Sequence, residues 1–212
     1  VHRAVPIAER VATVTDFLFV PGGKRTEADF DGVRKLLESE GHRTDAITLS
    51  DPERHTLSQH VSEVCTLIEQ LGVQDLHLCG HSYASFVITG AADRLPERIG
   101  QLVFLDTLIP ISGRSLFDFF DDSGVDPTAF GVPAWPPFVE KLTFDTERFA
   151  EFPKCYIHCL HSQFLAVTHD IPAYIQSRRK LERWRYFELD ADHYCMIDEP
   201  EAVANILTDE GT

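Results

Sequence analysis

Leu76-His77-Leu78-Cys79-Gly80-His81-Ser82-Tyr83-Ala84-Ser85 is the stretch whose reading decides the fold. Leu76 to Cys79 is a short apolar run of the kind that forms a buried strand. Gly80 breaks it, Ser82 follows two residues later, and Tyr83 to Ala92 has helix-like composition without proline. Strand, tight serine-bearing turn and helix together make the layout of a nucleophile elbow. The turn is too sharp for bulky neighbours, so small residues must stand two before and two after the serine. Gly80 and Ala84 occupy those places. The bland alternative is a structural turn with a solvated serine; the flanking strand and helix weigh against it.

Upstream, Asp16-Phe17-Leu18-Phe19-Val20 is a continuous apolar run, as in a strand covered on both faces. It ends in Pro21-Gly22-Gly23, a loop with two permissive glycines. A helix is expected over Ala28 to Glu40, with Phe30, Val33, Leu36 and Leu37 on one side and Gly41 as its stop. Thr44 to Leu49 reads as a strand. Leu57 to Leu71 is the clearest helix, with Val61, Val64, Cys65, Ile68 and Leu71 at three- and four-residue spacing. Downstream, strands are expected over Gln101–Leu105, Cys155–Leu160 and Arg185–Leu189, and helices over Ile171–Leu181 and Glu199–Leu207. This alternation predicts an α/β protein with a mostly parallel sheet of about six strands and helices on both faces.

The organisation expected is a lead-in over 1–14 and a single domain over 15–212. Residues 107–153 interrupt the rhythm with six prolines and a run of aromatics. A long insertion of that kind is usually a functional cap. Phe117, Phe120, Trp135 and Phe138 are its candidate pocket residues, against the alternative of a small hydrophobic cluster with no ligand. The net charge of −15 argues against nucleic acid and anionic lipid as partners. No apolar h-region or run of about 20 apolar residues is seen, so no secretory signal or membrane span is expected. Five scattered cysteines read as buried thiols in a reducing, cytoplasmic compartment. Cys155, Cys159, His158 and His161 lack a second ligand pair at zinc-like spacing, so neither metal nor other cofactor is expected. The expected partner is a small-molecule substrate, with a homodimer left open.

A serine hydroxyl needs a base within hydrogen-bond reach, and the base needs an orienting partner. Among ten histidines, His193 follows the last expected strand and precedes the last helix, which puts it on the same sheet rim as Ser82. His81 is read by parity as pointing away from Ser82. For the acid, the loop after the penultimate strand has no carboxylate before Asp170, which reads as a helix N-cap. Asp106, directly after Val103-Phe104-Leu105, is preferred; Asp170, Asp192 and no acid at all remain the alternatives. The oxyanion hole needs backbone N–H donors. Tyr83 supplies one and Gly23 is the candidate for the other.

Residues 15–208 resemble the α/β-hydrolase superfamily, most of all its compact branch of plant methylesterases, hydroxynitrile lyases and small bacterial esterases. The resemblance rests on Phe17 to Gly23, Leu37 to Arg43, Gly80-His81-Ser82-Tyr83-Ala84, Leu102 to Asp106 and Asp192-His193. The chain departs from the family in having Pro21-Gly22 for His-Gly, a shortened segment Lys24 to Glu27, and Ser162-Gln163 where an Asp is usual. The resemblance implies a serine hydrolase acting on an ester, lactone or thioester of a small apolar or aromatic acid, through Ser82, His193 and Asp106. Two alternatives stand beside it. One is a non-hydrolytic lyase, cyclase or decarboxylase using the same Ser–His pocket. The other is a ligand-binding homologue that has lost catalysis.

Overall fold

The computed structural model describes residues 14–209, so the expected lead-in, apart from Val14, lies outside the described residues. Six strands form one sheet in the order β2-β1-β3-β4-β5-β6. They are β1 (Asp16–Val20), β2 (Arg43–Ala46), β3 (Leu76–His81), β4 (Ile99–Leu105), β5 (Lys154–Cys159) and β6 (Trp184–Leu189). Every neighbouring pair is parallel. The helices are α1 (Asp31–Ser39), α2 (Leu57–Leu71), α3 (Ala84–Arg94), α4 (Leu116–Ser123), α5 (Pro136–Val139), α6 (Thr146–Glu151), α7 (Leu165–Thr168), α8 (Ile171–Arg178), α9 (Cys195–Asp198) and α10 (Pro200–Thr208).

Side-chain alternation along the strands divides the core. Leu18, Val20, Leu78, Leu102, Phe104 and Tyr156 face α2, α3 and the cap. Phe17, Phe19, Cys79, Val103, Leu105 and Ile157 face α1 and α10. With both faces covered, the strands are continuously apolar, the pattern seen in β1 and β4. Each fully buried Phe or Leu of this set stabilises the fold by about 1.5–3 kcal/mol. The cysteines serve the same packing. Cys79, Cys155, Cys159 and Cys195 are buried free thiols in the second cluster, and burial pushes Cys155 up to about 12. No group of three or more His, Cys, Asp or Glu side chains among the described residues could hold a metal ion, and none of their helices is long and apolar enough to cross a membrane.

The structure corrects several local expectations. The helix expected from Ala28 opens as a 3-10 turn (Glu27–Phe30) before α1. β2 ends at Ala46, short of Leu49. The insertion 107–153 is more helical than its prolines suggest. Ser115 and Asp118 form a capping box that starts α4, and Gly124 ends it at φ 64°. Gly80 does not end β3. It pairs with Val20 on one side and Phe104 on the other, and its missing side chain serves the turn that follows. A Cβ there would lie 2.9 Å from the Ala84 carbonyl oxygen and 3.0 Å from Ile88 Cδ1.

The chain leaves β1 toward β2 and returns to β3 on β1's other side, so the strand order reverses between β1 and β3. Sites in open parallel sheets form at the carboxyl ends of strands at such a switch point. Here that crevice is bounded by the loop after β1 and the Ser82 turn after β3. Gly80→Ala should lower stability by about 1–3 kcal/mol through overpacking against backbone. Urea denaturation checks this; an unchanged midpoint would show that the turn has room to relax.

Candidate active site

Ser82 sits at φ 54°, in the left-handed region that a sharp strand-to-helix turn demands. Its amide donates to the Leu105 carbonyl at 3.2 Å, tying the turn to the end of β4. Its carbonyl accepts the Thr107 hydroxyl. Thr107 is fixed in turn by Tyr156, whose hydroxyl donates to the Thr107 carbonyl. Thr107 and Tyr156 thus brace the turn from β4 and β5. Neither carries a sequence signal of its own, since an isolated Thr after a strand and a Tyr within one are commonplace.

Asp106 is wholly buried and also has a left-handed backbone, φ 40°. Its Oδ1 accepts the Cys159 amide at 3.2 Å, and its Oδ2 accepts His193 Nδ1–H at 2.6 Å. Donation from Nδ1 fixes the tautomer and leaves Nε2 with a lone pair. Ser82 and His193 both line one cavity, without a direct hydrogen bond between them. A nucleophile–base contact is often loose before substrate arrives. His193 is 5% exposed, so it is no surface-loop histidine. Asp170 is 90% exposed and lies 3.2 Å from His169, and Asp192 points to solvent. Of the three carboxylates weighed, only Asp106 meets the His193 ring.

His81, set aside by parity, packs against His193. Its ring is fully buried and lies 4.4 Å from the His193 ring, centroid to centroid. Its Nε2–H donates to the His193 carbonyl at 2.8 Å. Burial, and then the proximity of His193, hold its pKa well below the usual histidine value, so it is neutral. Phe164, from the loop after β5, covers another side of the His193 ring at 4.4 Å. Three residues from separate loops therefore enclose one imidazole, a convergence that spacing along the chain does not reveal.

Gly23 and Tyr83 both line the cavity. Gly22 and Gly23 do not owe their identity to backbone freedom, because neither has positive φ. Close approach is the reason. A Cβ on Gly22 would lie 3.0 Å from Ser82 Cβ, and one on Gly23 would lie 2.7 Å from Phe138 Cζ. The left-handed residue of this loop is Lys24, φ 59°.

The cavity measures about 140 Å³, and Phe120, Phe130, Trp135, Phe138 and Phe164 supply its aromatic wall. An apolar cavity of about 150 Å³ holds one benzene ring. Phe117 is not part of that wall; it is half-buried and packs behind Phe120, 6.5 Å ring to ring. The helical phase of α4 turns Phe120 inward and Phe117 away. At the mouth, Lys24 Nζ lies 3.7 Å over Trp135, and Arg25 lies over Tyr194 while paired with Asp29.

No family model matches the chain. It is 45% identical over 64 residues to a carbendazim hydrolyzing esterase of Nocardioides sp. (strain SG-4G), a match covering 30% of this chain and 26% of that protein. It is 35% identical over 89 residues to norfluorocurarine synthase 2 of Strychnos sp., covering 38% and 34%. The matches thus span about a third or less of either curated relative. The likeness of folds is far more extensive. An extracellular alpha/beta-hydrolase from a Paenibacillus species superposes with a TM-score of 0.72 at 22% identity, over 93% of this chain and 99% of that one. The chain has the α/β-hydrolase fold.

Asp106→Asn should remove the low-field Nδ1–H proton signal of His193 in NMR, because the amide cannot hold the same tautomer. Asp170→Asn should leave that signal in place. Its persistence in the Asp106 variant would sink the assignment of the pair.

Proposed function

We propose that the protein is a carboxylic-ester hydrolase using Ser82 as nucleophile, His193 as general base and acid, and Asp106 as orienting carboxylate. The observation that carries the proposal is the buried 2.6 Å hydrogen bond from His193 to Asp106, set on the rim of the cavity that Ser82 also lines. Ser82 attacks the ester carbonyl as His193 Nε2 takes its proton. The Asp106 carboxylate stabilises the imidazolium and does not take the proton. The amides of Tyr83 and Gly23 hold the developing oxyanion. His193 then protonates the leaving alcohol, and a water activated by His193 releases the acid from Ser82.

The size and aromatic wall of the cavity favour a small, flat or short apolar group beside the scissile bond, in keeping with the esterase among the curated relatives. One observation favours a second reading. One of the curated relatives is named a synthase. The same pair could then act as acid and base in a C–C cleavage or decarboxylation, with no acyl-enzyme.

Turnover of p-nitrophenyl acetate or butyrate and labelling by a fluorophosphonate probe separate the two. Ser82→Ala should abolish both, and Asp106→Asn should lower kcat about 10⁴-fold. A wild-type protein that neither turns over the esters nor takes the label would exclude the hydrolase in favour of the second reading.

A further inference from the structure

Phe138 comes from the cap, yet its closest partners are the two residues offered above as oxyanion donors. Its ring presses on Gly23 so tightly that a Cβ there would lie 2.7 Å from Cζ. The same ring meets the Tyr83 ring edge-on, 4.9 Å between centroids and 68° between planes. A residue serving only as substrate wall has no need of either contact.

Tyr83 is held from behind. The Tyr83 hydroxyl donates to His60 Nδ1 at 3.0 Å, and His60 Nε2–H donates to the Ser50 carbonyl at 2.9 Å. His60 is buried, and burial lowers its pKa, which keeps Nδ1 a neutral acceptor. Phe138 is anchored as well. Trp135 packs on it at 5.8 Å and lies beneath Lys24. At the end of α5, the Glu140 carboxylate accepts the Ser58 amide at 3.2 Å and the Ser58 hydroxyl, fastening the cap to the start of α2.

We propose that Phe138 is a positioning residue: in contact with both Gly23 and Tyr83, it sets the spacing and direction of their two amide N–H groups. The cap thereby completes the oxyanion hole as well as walling the substrate. The proposal rests on the serine-hydrolase reading. Its chemical basis is that an oxyanion hole works through donors fixed in place before charge develops, with no reorganisation during the reaction. A misplacement on the order of 1 Å in such a site costs about 100-fold in rate.

The contact geometry supplies the test. Phe138→Leu, Gly23→Ala and the double variant are compared with the wild type on p-nitrophenyl butyrate, with a trifluoromethyl ketone as tetrahedral analogue and fluorophosphonate labelling as a second rate. Phe138→Leu should lower kcat by about 10- to 100-fold. KM should change far less, and ketone affinity and labelling rate should fall in step with kcat. Gly23→Ala should also lose activity, because its methyl meets the ring. In the double variant the methyl enters space the ring has left, so kcat should recover above the weaker single variant. Phe138→Met repeats the first arm should the leucine variant melt early. An active, labelled wild type whose Phe138 variants change only KM, or whose double variant loses the product of the single losses, overturns the proposal alone. A wild type with neither turnover nor labelling overturns the underlying reading, and this proposal with it.

Discussion

The hydrogen bond between Asp106 and His193 joins residues 87 positions apart, and the site depends on it. Asp106 directly follows β4, Cys159 ends β5, and His193 lies in the loop after β6. Three adjacent parallel strands therefore deliver their carboxyl ends to one carboxylate. An unpaired buried carboxylate carries a desolvation penalty of several kcal/mol. The Cys159 amide and the His193 imidazole offset that penalty, one on each oxygen. The sheet register thus fixes the imidazole, and with it the direction of the Nε2 lone pair.

Much of this was legible in the chain. The apolar runs of β1 and β4 announce strands buried on both faces. Gly80 and Ala84 flank Ser82 as a sharp turn requires, and the place of His193 between the last strand and the last helix singles it out. Asp106 was preferred by the same rim argument, and the structure brings it to the His193 ring. What escaped notice depends on contacts between distant segments. His81 alternates away from Ser82 along the strand, but the His193 loop folds over to meet it. Gly22 and Gly23 look like flexible loop residues, and their small size matters instead. Phe117 and Phe120 are indistinguishable by composition, and only the phase of α4 separates them.

The cap illustrates why its segment resists reading from sequence. Its short helices are defined by local caps, at Ser115 and Asp145, while its position is set by contacts to the body. The two arms of the insertion pair where Gly113 N donates to the Leu142 carbonyl and Leu142 N to that of Arg114. Beyond that neck, Glu140 reaches Ser58 and Phe138 reaches Gly23. Composition records the aromatics but not which of them face the cavity.

The surroundings of His193 also explain why His81 must be neutral. In the ester cleavage proposed above, the His193 ring would become positively charged in a nearly dry site, with Phe164 on one side and His81 on another. Two unit charges about 4 Å apart interact by about 4 kcal/mol at an effective dielectric of about 20. A charged His81, its ring 4.4 Å from that of His193, would oppose the imidazolium by an amount similar to what Asp106 contributes in attraction. Burial, by keeping His81 uncharged, removes that opposition. Its Nε2–H still anchors the His193 carbonyl, so the residue secures the base without competing with it for charge. The turn that carries Ser82 therefore also supports His193, through the side chain immediately preceding Ser82.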